Sequence, residues 1–222
     1  MVNNLVLIGA SSEIAEKLIL QNKSSDFNIF GITSKDIEGN FLKVNDYIDE
    51  SQKIIEYIKE IKDPTIIFFN GYLKENRDKY FPNDLEIKDT LYINFLLPYL
   101  LTLDICKNIY FKKLVYISSI AAVKPRYKNY IYGISKKSLE NSIKNLNKKN
   151  TLSIRFGKVQ TKMSADHKDP PFTISANQAA DVIIQNLHKE GIIYSSFGIH
   201  FMAMVIKLLP IKFINYIEGR NS

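Results

Sequence analysis

The 222 residues, 45% hydrophobic and 24% charged, suit one soluble α/β domain or at most two small ones. A single cysteine, Cys106, excludes an internal disulfide and fits a reducing compartment, and three histidines beside it leave little material for a metal site. The net charge of +7 comes from lysines scattered along the chain, which argues for a solvated surface rather than a nucleic-acid face.

The chain begins without the basic and apolar pattern of a signal peptide, and no run approaches the ~18–20 apolar residues that span a bilayer. Leu5–Ile8 reads as a buried strand, followed by a tight turn at Gly9 and a helix through about Leu20. Asn28–Ile32 and Phe41–Val44 read as strands. Ile54, Ile55, Ile58 and Ile61 mark one helical face, and Thr65–Phe69 is a strand stopped by Asn70-Gly71. Tyr92–Ile105 reads as a largely buried helix and Lys113–Ser118 as a strand. Ser135–Asn147 reads as a helix, Leu152–Phe156 as a strand, Gln178–Leu187 as a helix and Ile192–Ser195 as a last strand. Asp166–Thr173 is a polar, proline-containing loop.

Strand alternating with helix predicts a doubly wound parallel sheet, a Rossmann-type α/β fold with helices on both faces. Ligands then sit outside the carboxyl ends of the strands. Gly9–Glu13, Thr33–Lys35, Asn70-Gly71, Ser118-Ser119 and Gly157–Thr161 all fall on those ends. Residues 1–196 are expected to form one nucleotide-binding reductase domain, with 197–222 an amphipathic extension of it.

Tyr132 and Lys136 are four residues apart and share a helical face; among thirteen tyrosines this is the one followed by lysine at that spacing. An ammonium beside a phenol favours the phenolate, so Tyr132 is expected to have a lowered pKa. Ser119, thirteen residues earlier, ends a strand and can donate a hydrogen bond to a substrate oxygen. Asn94 places an amide in an apolar helix and needs partners there.

These stretches together resemble the short-chain dehydrogenase/reductases over nearly the full chain. The matching positions are Gly9–Ala15, Phe69-Asn70-Gly71, Asn94, Ser119, Tyr132 with Lys136, and Arg155-Phe156-Gly157 with Thr161. The resemblance implies a catalytic tetrad of Asn94, Ser119, Tyr132 and Lys136. Tyr132 would protonate the substrate carbonyl oxygen and Ser119 would polarise that carbonyl. Lys136 would hold the nicotinamide ribose, and Asn94 would hold a water linking Lys136 to solvent. Val159 and Thr161 would meet the carboxamide. Glu13 and Ala15 replace family glycines, Asn70 an alanine and Phe156 a proline. The segment from Lys136 to Arg155 is shorter than is usual, which leaves a homo-oligomer open. No metal site is expected.

Glu13 at a helix start suits the dipole but would repel a pyrophosphate if it pointed inward. It is expected to face away, leaving Ser11, Ser12 and the amides near Ile14 to meet the phosphates. The end of the second strand, Phe30 to Asp36, has no acid at Ile32 or Thr33, whereas Ser34 and Lys35 suit a 2′-phosphate. NADP(H) is therefore expected ahead of NAD(H).

Ser12-Glu13-Ile14 and the stretch Arg155–Ser175 are similar to the subgroup of decaprenylphosphoryl-2-keto-ribose reductases, partners of the decaprenylphosphoryl-ribose 2′-epimerase. That resemblance implies a keto-sugar substrate, lipid- or nucleotide-linked, in cell-envelope polysaccharide synthesis. A generic carbonyl or 3-oxoacyl reductase and a non-catalytic NAD(P)-sensing protein stay open. In the tail, Phe201, Met204, Val205, Leu208 and Leu209 line one helical face, Lys207, Lys212 and Arg220 punctuate the rest, and Pro210 breaks the helix. Such a segment suits a bilayer interface or a packed helix. The expected location is cytoplasmic, peripheral to the membrane if the tail docks there.

Overall fold

The computed structural model describes residues 3–22, 26–36, 39, 41–73, 83–146, 150–165 and 169–220. Seven parallel strands form its central sheet: β1 (Asn3–Ile8), β2 (Phe27–Thr33), β3 (Phe41–Lys43), β4 (Thr65–Phe68), β5 (Lys113–Ser119), β6 (Thr151–Phe156) and β9 (Gly191–Tyr194). Their order is β3-β2-β1-β4-β5-β6-β9, so the winding reverses between β1 and β4. In such a sheet, that reversal opens a crevice at the carboxyl ends. Two short strands, β7 (Val159–Gln160) and β8 (Ile174–Ser175), pair separately and bracket the loop after β6. The expected loop Asp166–Thr173 lies partly outside the described residues.

Alternate residues of β1 point to opposite faces. Val6 and Ile8 enter one apolar core with helices α2 (Ser51–Lys59), α4 (Leu97–Asn108) and α5 (Tyr130–Asn145). Leu5 and Leu7 enter the other with α1 (Glu13–Gln21) and α6 (Ala176–Asn186). Both faces of the sheet are thus covered, which explains why the strands read as continuous apolar runs.

Three features depart from the sequence expectation. Helix α3 (Asp84–Leu91) was not anticipated; it buries only Thr90, so its sequence carries little apolar period. Helix α5 begins at Tyr130, five residues before the expected Ser135, and so takes in Tyr132. The stretch from Tyr92 is not one regular helix: Tyr92–Leu96 is a π turn, closed by Leu97 N donating to Tyr92 O. Pro98 supplies the cause, since it has no N–H for the carbonyl of Asn94 four residues before it.

The tail forms α7 (Phe197–Leu208) and α8 (Ile211–Arg220), parted at Pro210 as expected. Leu209 before it is extended, as a residue preceding proline prefers. Ile199, Ala203, Ile206 and Ile214 are buried against the domain. The outer face of α7 is exposed, with Phe197 and Leu208 each at 83%.

Candidate active site

One cavity of about 780 Å³ runs along the carboxyl edge of the sheet. Its first wall is the β1–α1 turn. Gly9 sits at φ +84°, a conformation that glycine adopts without strain, and Gly9 N and Ala10 N both donate to Ile32 O at 3.0 Å. A Cβ at Gly9 would lie 3.2 Å from Asn70 N, so backbone crosses here at close range. Ser11, Ser12, Glu13 and Ile14 follow on the wall. Ser12 occupies the N-cap position of α1 but makes no side-chain cap bond, which leaves the first amides of that helix open to an anion.

The Glu13 carboxylate accepts from Lys162 N at 3.0 and 3.1 Å, clasping the first loop to the loop after β6. That N–H begins the short turn Lys162–Ser164, where a carboxylate is well placed. The same turn is fixed from within by Thr161 and Ser164, whose Oγ donates to Val159 O. Val159, Thr161 and Gly157 all line the cavity.

At the end of β2, Ser34 and Lys35 are exposed and line the cavity. The Lys35 amide donates to Thr33 Oγ1 at 3.0 Å, which folds the segment round the strand end. Asp36 is turned onto Lys43 at 2.5 Å. Tyr47 and Asp46, which the sequence reading overlooked, close this end. Tyr47 is buried against Ile32 O and its phenol is pushed up to about 12, chiefly by that burial. Asp46 accepts from the amides of Ile48 and Asp49, and the first of these effects to count, the Asp49 bond, holds its carboxyl below the usual range.

Ser119, Tyr132 and Lys136 come together on the wall of the cavity. Ser119 is the last residue of β5, with Oγ accepting from Ala121 N at 3.2 Å. Tyr132 lies in the first turn of α5 and Lys136 in the second. Lys136 is buried, its Nζ donating to Ile117 O at 3.0 Å and to Asn70 O at 3.4 Å, and standing 5.8 Å from the Tyr132 ring centroid. Burial lowers Lys136 to about 8, while Glu140 one turn along opposes that fall. The expected lowering of Tyr132 does not occur: burial pushes its phenol up to about 12, and a hydrogen bond with Ser119 only partly offsets this. Desolvation sets the sign of the shift, so the phenol is held as an acid.

Asn94 stands behind the wall, fully buried. Its amide accepts from Tyr72 N at 3.1 Å and donates to Tyr72 O at 2.7 Å and Thr90 O at 2.9 Å. The side chain therefore clamps the Asn70–Tyr72 turn. Among the described residues Asn70 Oδ1 is buried without a hydrogen-bond partner, and both Asn70 and Gly71 line the cavity.

Beneath Lys136 lies a buried ionic group. Glu140 accepts from Ser118 Oγ at 2.6 Å and from Arg155 Nε at 2.9 Å and Nη2 at 2.5 Å; Arg155 Nη1 reaches Tyr194 at 2.9 Å. The pair ties α5 to β5, β6 and β9. Arg126 and Asn129 before α5 and Ile199, Met202 and Ile206 of α7 also line the cavity. Sequence reasoning missed all five, because loop and tail meet there only in three dimensions. Lys124 Nζ donates to the carbonyls of Lys207 and Leu209, and Tyr127 N donates to Asn215 Oδ1, so the tail braces this wall.

The residues present fit a dinucleotide: a close-approach glycine, open helix amides, a cation at the end of β2 and an orphaned buried acceptor. No family model matches the sequence, and no curated protein matches it. Solved structures do match in fold. A short chain dehydrogenase from Burkholderia cenocepacia in complex with NADP superposes with a TM-score of 0.74 at 15% identity, covering 93% of this chain and 94% of that one. A 3-oxoacyl-[acyl-carrier protein] reductase from Brucella melitensis in complex with NAD gives 0.73 at 13% identity, covering 90% and 97%. The ligand-free aldohexose dehydrogenase of Thermoplasma acidophilum gives 0.69 at 12% identity, covering 89% and 94%.

Proposed function

We propose that this chain is a short-chain NAD(P)H-dependent oxidoreductase that reduces a ketone to an alcohol. The observation that carries this reading is the meeting of Ser119, Tyr132 and Lys136 at the carboxyl edge of the sheet, within one cavity that also holds the Gly9 turn. When bound, the dinucleotide supplies the hydride. The chain's own residues do the rest. Ser11, Ser12, Glu13 and Ile14 seat the pyrophosphate through backbone amides, and Ser34 and Lys35 favour the 2′-phosphate of NADP(H) over NAD(H). Asn70, Gly71, Gly157, Val159 and Thr161 line the nicotinamide side. Ser119 orients the substrate carbonyl, and Tyr132, kept protonated by burial, gives its proton to the carbonyl oxygen. Lys136 holds ribose hydroxyls and steadies the phenolate left behind. Asn94 is a positioning residue for the turn that carries Asn70 and Gly71.

The finer reading is a keto-sugar substrate, lipid- or nucleotide-linked, in cell-envelope polysaccharide synthesis. Polar walls at Arg126 and Asn129 support it, as does the likeness in fold to an aldohexose dehydrogenase. The exposed outer face of α7 supports a peripheral contact with a membrane from the cytoplasmic side, with the tail serving as an extension of the 1–196 domain. A 3-oxoacyl reductase is the second reading, favoured by the likeness in fold to the Brucella enzyme. Rates of NADPH and NADH oxidation with a keto-sugar and with a 3-oxoacyl ester test both. The reading expects ketone-dependent turnover with NADPH ahead of NADH; no turnover with any ketone would overturn it.

A further inference from the structure

The loop after β6 carries Gly157, Val159 and Thr161 on the cavity and turns back at Lys162–Ser164. Its nearer fastenings are local. Lys158 Nζ meets Asp169 at 2.7 Å, Ile174 N donates to Lys158 O at 3.1 Å, and Ser164 N donates to Thr161 O at 3.0 Å. The bond from Lys162 N to the Glu13 carboxylate is of another kind, because it reaches 149 residues back along the chain to the β1–α1 turn.

The place of that bond matters. Both residues line the cavity; Lys162 is exposed and Glu13 half-buried, whereas Phe69 and Phe156 of the same cavity are buried. The two loops are thus joined on the solvent side of the cavity and not at its floor. A carboxylate accepts from a backbone N–H more strongly than a neutral oxygen does. On the wall of a site for an anionic ligand it also repels, although ionic screening weakens that at an exposed position. The join between the loops is what offsets the repulsion.

We infer that Glu13 is a latch: its bond to Lys162 N holds the loop after β6 against the first loop and slows the release of a seated dinucleotide. The inference rests on the dinucleotide reading of this cavity. A dinucleotide that touches both loops is freed when they part, so the bond between them acts on its departure. Glu13 is then a positioning residue, and its replacement is felt in the rate of release.

The test times NADPH release from the full chain, by NADPH fluorescence after mixing with excess NADP+. Glu13→Ala removes the acceptor, and Glu13→Asp keeps a carboxylate on a side chain one methylene shorter. Lys162→Pro removes the donor. Proline suits the first residue of a helical turn, and Thr161 before it is already extended at φ −144° and ψ 165°, as a residue preceding proline prefers. All three variants are expected to release NADPH faster than wild type by about fivefold or more. Glu13→Ala combined with Lys162→Pro is expected to release it no faster than either alone, because both remove the same bond. Unchanged release in Glu13→Ala or Lys162→Pro, even with a lowered melting temperature, shows a purely structural bond and overturns the latch. Slower release in Glu13→Ala shows that repulsion dominates and overturns it. Wild-type release in Glu13→Asp, or effects that multiply in the double variant, overturn it as well. Each of these results leaves the dinucleotide site standing. A wild-type protein that binds neither NADPH nor NADH removes the dinucleotide reading, and the latch falls with it.

Discussion

Lys136 and Tyr132 are shifted in opposite directions by the same cause. Burial favours the neutral form of each, so the lysine falls to about 8 while the phenol rises to about 12. For ketone reduction the acid must be protonated and the lysine charged. Tyr132 keeps its proton throughout the neutral range, whereas Lys136 is an ammonium below about pH 8 and loses its charge above it. The rate of reduction at low substrate is therefore expected to fall as pH rises through about 8, with a single descending limb in the kcat/KM profile. In Glu140→Gln the limb is expected at lower pH, because the carboxylate that favours the ammonium is gone. A flat profile from pH 6 to 10 would remove Lys136 from this role. The spacing of Tyr132 and Lys136 made the pair legible in the sequence, but not the sign of the tyrosine's shift. That depends on how deeply α5 is buried against β5, which spacing does not carry.

At the scale of elements, helix α5 is anchored by Glu140 and Arg155 rather than by apolar packing alone. The pair has side-chain exposures of 3% and 15%, so removing one partner strands a charge in a poorly solvated place. Glu140→Leu is expected to cost about 3 kcal/mol, and Glu140→Leu with Arg155→Met to recover most of that. Denaturant midpoints of the two single variants and the double variant measure it; additive losses would contradict it. The strands were legible because parallel strands buried on both faces read as apolar runs. The π turn was not, since its cause is a proline's missing N–H inside a run that otherwise looks helical. Helix α3 escaped for want of an apolar stripe. The pocket residues Asp46, Tyr47 and Asn129 escaped because each sits in a loop of ordinary composition, and only the winding of the sheet brings those loops together.

For the whole molecule, the tail serves two surfaces at once. Ile199, Met202 and Ile206 of α7 line the cavity, while Phe197, Phe201, Met204 and Leu208 on the same helix are exposed. No acidic residue occurs from Gly191 to Ile217, and Lys207 and Lys212 lie within that span. An apolar face rimmed by lysines suits an anionic bilayer. The protein is expected to float with vesicles of anionic phospholipid, and Phe201→Glu with Leu208→Glu to stay in the soluble fraction while NADPH affinity is kept. Deleting the tail would not serve, because it would also remove a wall of the cavity. Equal flotation of both forms would count against docking through this face.

A proton donor at Tyr132 is what distinguishes the proposed reductase from a passive nucleotide pocket. Tyr132→Phe removes one oxygen atom and leaves the ring that packs against Lys136. The direct measurement is NADPH affinity and ketone-dependent NADPH oxidation for the same two preparations. An affinity within about threefold of wild type and a turnover reduced by about a hundredfold or more are expected. A Tyr132→Phe protein that reduces ketone at the wild-type rate would contradict that expectation.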